Sequence, residues 1–312
     1  MKKQNSLLQT KKQVVQLGPQ DNPIDIRYDE VFKAVFTAES PESRTALSKL
    51  VSAMLGQEIS TLRIVENEPA ITDIKDRKIR FDINCRIKNG ERINVEMCFN
   101  PGFYESNRLE YHVGRLFTSQ QIRGEKGYQN LKKTYQIAIL AKQSFFPDNE
   151  FYHCYEYYDK IRKIALNGKT QIITVELTKL DKIIEKPVIE LSVQERWALY
   201  FEYLTDIKYR DIINEIIKFE EGIMMATKAL MRITRSDREW AYRESKLKYE
   251  LDRQSLIYET KREGIAEGRK DGIADGILQG RIDIARNMKS LNLPVDVIAK
   301  STGLSLEEIN NL

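Results

Sequence analysis

Two acidic residues, Asp82 and Glu96, lie on either side of a short glycine turn in this chain of 312 residues. The segments that carry them, residues 80–87 and 92–99, each alternate apolar and polar residues with period two, which predicts two half-buried β-strands. A three-residue loop over residues 88–90, with its glycine in the left-handed conformation, keeps the apolar faces of the two strands matched, whereas a two-residue turn mixes them. In that register Asp82 lies directly opposite Glu96, with the two Cβ atoms roughly 5 Å apart.

This carboxylate pair predicts a cation site. Like charges directly opposed on a sheet destabilise it, and two close carboxylates resist ionising together. Ligation by two carboxylates, completed by water and phosphate oxygens, is what Mg²⁺ or Mn²⁺ prefers. The alternative is an exposed hairpin in which Arg80, Arg86 and Arg92 relieve the two acids. The strand pattern alone leaves both interpretations open.

Further motifs flank the hairpin in a set order along the chain: Asp-x-x-Phe-Lys-x-x-Phe at residues 29–36, the Asp82 strand with Gly90, Glu-Met-Cys at residues 96–98, Arg108 with Tyr111, a turn from Gly124 to Tyr128, and Glu-Gly and Gly-Arg repeats at residues 263–281. No single motif is specific, but their order and spacing together are. From about Ile24 to the C-terminus the chain resembles the PD-(D/E)XK nucleases and, more narrowly, the bacterial recombination-promoting nuclease (Rpn) and transposase family.

The resemblance implies both a fold and an activity. The fold is an α/β, restriction-endonuclease-like core with a mixed sheet in the order α-β-β-β-α-β, followed by a mainly helical C-terminal extension. The activity is that of a metal-dependent DNA endonuclease with low sequence specificity. Asp82, Glu96 and the backbone carbonyl of Met97 would hold Mg²⁺ (or Mn²⁺). Asp29 is a candidate outer acid, or equally the N-cap of its helix.

One position departs from the family pattern. The third motif residue, Lys in the superfamily and commonly Gln in this family, is Cys98. A neutral thiol cannot replace an ammonium beside an attacking water, and only a thiolate would ligate metal. The register places Arg80 opposite Cys98, with Lys78 two residues further along the same face, so a basic group of the neighbouring strand could restore the charge. The alternative is a catalytically impaired nuclease-fold protein that acts in nucleic-acid binding or helix-mediated assembly.

A predicted helix after the second acidic strand carries candidate DNA contacts. Arg108, Tyr111 and Arg115 fall at i, i+3 and i+7, so they share one helix face. Contacts from such a face to phosphates confer affinity with little sequence choice. The alternative is a helix face that packs over the sheet and leaves the arginine tips in solvent.

Composition excludes several other classes of protein. The net charge is only +4, from 50 basic and 46 acidic residues, so any surface for DNA must be local. Cys85, Cys98 and Cys154 lack metal-site spacing, and with only His112 and His153 they argue against a zinc site. The chain has neither an apolar run of membrane length nor a signal-peptide core at its N-terminus, so we expect a soluble, cytoplasmic protein.

The patterns predict five segments: a disordered leader (1–22), a nuclease-like domain (23–187), a helical subdomain (188–220), a long charged helix with a glycine repeat (221–284) and a small C-terminal helical unit (285–312). In the nuclease-like domain, residues 151–158 and 171–177 are predicted to add two antiparallel strands at the sheet edge. Five glycines from Gly264 to Gly280 recur every four residues, and each costs a helix about 1 kcal/mol relative to alanine. The repeat predicts either a groove for close packing, for example self-association with a second subunit, or a solvated spacer.

Overall fold

The computed structural model describes residues 15–65, 82–102, 104–120, 127–233 and 235–312. Its helices are α1 (Asp29–Thr37), α2 (Pro41–Leu55), α3 (Glu105–Thr118), α4 (Val193–Tyr203), α5 (Arg210–Phe219), α6 (Glu221–Met231), α7 (Arg235–Ser290), α8 (Val295–Thr302) and α9 (Leu306–Asn310). Its strands are β1 (Leu62–Ile64), β2 (Ile83–Ile87), β3 (Arg92–Cys98), β4 (Thr134–Leu140), β5 (Tyr152–Tyr155) and β6 (Thr170–Glu176). The predicted α-β-β-β-α-β order is therefore confirmed, with helices following the sheet.

The strands form one mixed sheet in the order β1-β2-β3-β4-β6-β5. β1, β2 and β3 pair antiparallel, whereas β4 pairs parallel with β3 and β6 pairs parallel with β4. The prediction that the last two strands are antiparallel additions is correct for the edge strand β5 and wrong for β6. After β4, residues 141–151 lead to β5 at the edge of the sheet, which leaves one strand position open between β4 and β5. The next strand, β6, fills that position.

The hairpin of β2 and β3 has the predicted register. Ile83 pairs with Val95 and Cys85 pairs with Ile93, so the apolar faces of the two strands match. Gly90 closes the turn with a φ of 88°, a left-handed conformation that glycine adopts without strain, and its N–H donates to the Ile87 carbonyl over 2.8 Å. The next pair in this register is Asp82 and Glu96.

The two faces of the sheet are covered unequally. The apolar face packs against α1, α2, α4, α5 and α6 and forms the main core. Aromatic side chains of two elements meet there: Phe36 of α1 lies with its ring centroid 6.0 Å from that of Trp197 of α4. The other face is covered by α3 through a small cluster that includes Leu109, Cys98 and Leu140. The acidic residues of the hairpin belong to this second, largely polar face.

The end of the predicted leader is packed onto the domain. Leu17 is buried, and its backbone N–H and carbonyl both bond to the side-chain amide of Asn214 on α5, over 2.8 and 3.0 Å. Arg210 donates to the carbonyls of Gly18 and Asp21. The expectation of disorder up to residue 22 is thus wrong for residues 17–21, because paired backbone groups and a buried side chain hold them.

The single long helix predicted over residues 221–284 is divided into two helices, α6 and α7. α6 is largely buried, with Ile223 and Leu230 in the main core, and it ends at Met231. The chain then starts α7 at Arg235, whose described side chains are mostly exposed. The break falls where core packing ends and the interleaved acids and bases begin, because burial rather than helix propensity fixes the position of α6.

The chain divides into two compact units, residues 1–247 and 248–312. The second unit has its own small core of Ala285, Ile298, Leu304 and Ile309. A capping box of Ser305 and Glu308 starts α9. At each of the five repeat glycines, no atom of the described chain beyond the helix backbone and the flanking residues lies within 4 Å of where a Cβ would stand.

None of the helices in the described ranges combines the length and the apolar composition needed to cross a lipid bilayer.

Candidate active site

Asp82 comes directly before β2, and its carboxyl group is in a buried position that disfavours its charge. Its residue is 8% exposed. Burial and the negative charge of Glu96 raise the pKa of Asp82 to about 6, against the opposing effect of Lys33. The ammonium nitrogen of Lys33, on α1, lies 3.0 Å from Asp82 Oδ1. The hairpin register predicts that Glu96 lies near Asp82, and the negative charge of Glu96 accordingly contributes to the raised pKa of Asp82.

Glu96, on β3, is held from two sides. Its Oε1 accepts a hydrogen bond and ion pair from Arg108 Nη1. Its Oε2 accepts from Gln136 Nε2 over 3.0 Å, and His112 Nδ1 lies 3.5 Å from the same oxygen. Burial alone would raise the pKa of Glu96, but the contacts with His112 and Arg108 outweigh it and hold that pKa below its usual value. Glu96 therefore carries its charge at neutral pH.

Arg108 is the centre of a small polar network between α3 and the sheet. Its Nη2 lies 3.0 Å from Cys98 Sγ and also pairs with Glu105 Oε1, which accepts from Nε over 3.1 Å. The guanidinium thus links the thiol of Cys98 with two buried carboxylates. Fixed hydrogen bonds on both ends of the fork leave it little rotational freedom.

The local sequence of α3 explains this arrangement. Glu105, Arg108 and His112 recur at i, i+3 and i+7 and so line the face of the helix that turns toward the polar side of the sheet. Leu109 and Val113 on the same side are buried and anchor the helix there. Packing of the apolar residues therefore delivers an acid, a guanidinium and an imidazole to the strand that bears Glu96.

The thiol of Cys98 is not poised to ionise. Burial raises its pKa well above the usual value, and the charge of Glu96 adds to the effect, while Arg108 acts in the opposite direction. A neutral thiol is a weak hydrogen-bonding group and a poor metal ligand. The positive charge expected at this motif position lies instead on Arg108, a residue of α3.

The comparison with protein-family models gives one match: the family described as PD-(D/E)XK nuclease family transposase, over residues 26–260. This range covers three quarters of the chain, including the sheet and both carboxylates. The chain belongs to this family. No curated protein and no solved structure matches it.

Membership in the PD-(D/E)XK family indicates a nuclease-type function and confirms the resemblance read from the sequence motifs. It also bears on the cation, because PD-(D/E)XK nucleases generally use divalent metals. Within the described ranges there is no cluster of three or more His, Cys, Asp and Glu side chains that could hold a metal ion. The donors that fit are the two carboxylates of Asp82 and Glu96, whose mutual repulsion a cation would relieve. Mg²⁺ often binds through one or two carboxylates and keeps several waters, so this oxygen donor set suits it.

The other residues predicted for this PD-(D/E)XK site fall in different places. Arg80 and Lys78 lie outside the described residues. Asp29 opens α1 one turn before Lys33, and the N-cap position belongs to Tyr28 rather than Asp29. Met97 lies on β3 directly after Glu96.

The predicted DNA-contact residues of α3 are divided by the structure. Arg108 turns to the carboxylates, while Tyr111 is 56% exposed and Arg115 is partly buried. The three residues therefore do not form the single exposed face that was expected: Arg108 belongs to the acidic cluster, and Tyr111 belongs to the surface. Whether these side chains touch DNA stays a prediction.

Four residues of the cluster were missed by sequence reasoning: Lys33, Glu105, His112 and Gln136. Lys33 belongs to the quoted Asp-x-x-Phe-Lys motif, so its presence was visible but its partner was not. Gln136 is a polar residue inside an otherwise apolar strand that is buried along its whole length, and that contrast was the available signal. Its amide bridges Asn94, which donates to Oε1 over 2.9 Å, and Glu96.

Proposed function

We propose that this protein is a metal-dependent DNA endonuclease that hydrolyses phosphodiester bonds with low sequence specificity. The observation that carries the proposal is the pair Asp82 and Glu96: extending the register of β2 and β3 by one residue beyond Ile83 and Val95 places them opposite each other, in a chain of a nuclease-type family. Two buried carboxylates in direct opposition cost stability, and a divalent cation bound between them offsets that cost.

The proposed metal ligands are Asp82, Glu96 and the backbone carbonyl of Met97. A Mg²⁺ or Mn²⁺ ion held there would polarise the scissile phosphate and lower the pKa of a bound water. Gln136 and His112 fix the orientation of the Glu96 carboxylate through its Oε2 atom. Such supporting contacts keep a ligand in position before the cation arrives.

Arg108 is the proposed electrostatic group of the site. Its guanidinium is always charged, and 38% of its side chain is exposed, so it can face both Glu96 and a bound phosphate. Donors fixed in advance near a phosphoryl group stabilise the negative charge that develops in the transition state. Arg108 thereby takes the part that a motif lysine plays at position 98, where this chain has Cys98.

The proposed role of Lys33 is to neutralise the negative charge of Asp82 when no cation is bound. The ammonium group lies 3.0 Å from the carboxylate and its side chain is partly exposed. With a divalent cation on Asp82, the ammonium of Lys33 would no longer be needed there and would turn toward a phosphate oxygen. Contacts to phosphates of this kind select DNA by charge and shape rather than by base sequence, which fits low sequence specificity.

The test is nicking of supercoiled plasmid in the presence of Mg²⁺ or Mn²⁺. We expect the wild type to nick, and Asp82→Asn and Glu96→Gln to lose the activity. Glu110→Gln is the matched control, because Glu110 is an exposed acid of α3 and its change removes the same charge. Equal loss of activity in Glu110→Gln, or full activity in Asp82→Asn, would overturn the proposal.

The neutral thiol of Cys98 favours a second candidate function, a nuclease-fold protein that binds nucleic acid but has lost cleavage. Both oxygens of Glu96 already accept bonds from side chains, which is a stable arrangement without a cation. In this case the wild type would bind DNA in a filter or anisotropy assay and leave plasmid intact at every metal concentration.

A further inference from the structure

A hairpin arm, residues 155–169, projects between β5 and β6. It continues the pairing of these strands with a bridge between Tyr158 and Ala165 and a hydrogen bond from Leu166 N–H to the Tyr157 carbonyl over 2.9 Å. At the tip, Asp159 N–H donates to the Ile164 carbonyl over 2.9 Å. The arm is thus a built element with its own backbone bonds.

The arm carries apolar side chains that the rest of the described chain leaves uncovered. Ile161 is 85% exposed, Leu166 is 81% exposed, and Tyr157 and Ile164 are more than half exposed. Four large apolar side chains exposed within ten residues of one hairpin make it a candidate interaction surface. Their position on a protruding hairpin suits insertion into a groove.

The same tip is basic. Lys160, Arg162 and Lys163 alternate with the isoleucines, and the one acid of the tip, Asp159, lies 3.4 Å from Arg162 in an ion pair. Each of these side chains is exposed. Apolar wedges flanked by Lys and Arg are how many proteins enter the minor groove of DNA.

A basic cleft of about 270 Å³ adjoins the base of the arm. Three lysines line it, Lys132, Lys133 and Lys169, with Glu91 as its single acid. Arm and cleft together hold six basic residues against Glu91, Glu156 and Asp159, while the whole chain has 50 basic and 46 acidic residues. The positive charge that the overall composition lacks is therefore concentrated here.

The cleft and Glu96 lie at different positions along the same strands of the sheet. The cleft is at the start of β4 and β6, where Thr134 pairs with Arg92, and Glu96 pairs with Ala138 further along the strands. Four residues of strand span about 13 Å, which is less than half a helical turn of duplex DNA. A duplex is therefore long enough to span the distance along the strands from the cleft to Glu96.

We propose that the arm and the cleft bind duplex DNA, with their lysines and arginine on the phosphates and Ile161 and Ile164 in a groove. The inference rests on the proposed function, since DNA is the substrate assumed there, and it adds the surface that holds the duplex. A second copy of this chain fits less well. A two-fold contact would bring the same basic patch of each copy together and repel it.

The test measures binding of the full-length protein to a labelled duplex of about 30 base pairs, roughly three helical turns, by fluorescence anisotropy in EDTA. Salt is varied between about 50 and 200 mM, because the slope of log affinity against log salt reports how many phosphates the protein neutralises. The cation variant combines Lys160→Ala, Arg162→Ala and Lys163→Ala. Its matched control combines Lys182→Ala, Lys208→Ala and Lys218→Ala, which remove the same net charge from other exposed positions.

For the cation variant we expect affinity at least about tenfold weaker and a slope reduced by about 0.9 for each phosphate that the protein no longer neutralises. A variant with Ile161→Ser and Ile164→Ser should weaken binding with the slope unchanged, because an apolar side chain releases no counterions. Equally weakened binding in the cation variant and its control, or unchanged binding in both, would overturn the proposal. So would isoleucine variants that bind DNA normally but change from dimer to monomer in light scattering.

Failure of this inference can be told apart from failure of the proposed function. If the wild type nicks plasmid and the arm variants bind as it does, only the arm proposal falls. If binding depends on the arm and the wild type does not nick plasmid, only the endonuclease proposal falls.

Discussion

The opposed carboxylates make a prediction about folding stability that needs no knowledge of the substrate. In EDTA, Asp82→Asn should make the protein more stable at pH 7.5. The carboxyl group of Asp82 is buried beside Glu96, and its pKa rises from 3.8 to about 6 on folding. Asparagine has nearly the same shape and carries no charge to be penalised.

The magnitude follows from the pKa difference. A rise of roughly two units at about 1.36 kcal/mol each corresponds to an upper value of about 3 kcal/mol for the charged form. Because this is an acid whose folded-state pKa is raised, the penalty is fully present above pH 6. It shrinks as the pH falls through 6 and vanishes below the unfolded-state value of 3.8. The gain from Asp82→Asn should therefore fall to about 1 kcal/mol near pH 4.5.

The assay is urea denaturation in EDTA at both pH values, followed by fluorescence, with the wild type measured alongside. Glu96→Gln is the internal comparison, and its sign should be opposite. The pKa of Glu96 lies below its usual value, so removing the charge of this buried carboxylate breaks its ion pair with Arg108 and should cost about 2 kcal/mol at pH 7.5.

Two results would refute this reasoning. One is an Asp82→Asn protein that is no more stable than the wild type at pH 7.5. The other is a gain of the same size at pH 4.5, which would assign the effect to packing rather than to charge. Excess Mn²⁺ added to the wild type should supply a stabilisation that Asp82→Asn lacks, since binding to the folded state alone shifts the equilibrium.

Further predictions concern Arg108 with its neighbour Cys98, and two helix glycines. Arg108→Ala should slow plasmid nicking by about 10²–10³, and Cys98→Lys alone should lower stability in urea because its ammonium would face the guanidinium. The double variant Cys98→Lys with Arg108→Ala should recover part of the nicking, and an inactive, stable double variant would contradict the assigned role. Gly272→Ala should increase helicity by circular dichroism and stabilise α7 by about 1 kcal/mol, because its Cβ would meet nothing. Gly222→Ala, the same change in α6, should cost about 1–3 kcal/mol, because its Cβ would lie 2.5 Å from that of Lys49. Equal thermal melts for the two glycine variants would show that packing does not decide the sign.

The register of the acidic hairpin was predictable because it depends on local rules. Alternation with period two and one glycine in a left-handed turn determine which residues face each other, and the pair Asp82 and Glu96 follows from them. The buried strand β4, the start of α2 at Pro41 and its end at Leu55, before the left-handed Gly56, follow from equally local signals.

The rest of the site depends on contacts between residues far apart in the chain. Lys33 reaches Asp82 only because α1 packs on the sheet, and Arg108 reaches Glu96 only because Leu109 anchors α3. No pattern within either helix specifies these distances. The parallel placement of β6 has the same cause, since the path of residues 141–151 is set by tertiary packing rather than by their own sequence.

The ion pairs of Lys33 and Arg108 have a consequence for the order of events in the cell. Each carboxylate of the candidate metal site already has a cation of the protein beside it. A newly made chain can therefore finish folding during or after translation before any divalent ion reaches it. Under the proposed function, loading of the metal would be a separate, later step, so that scarcity of the ion would delay activity while the folded protein stayed intact.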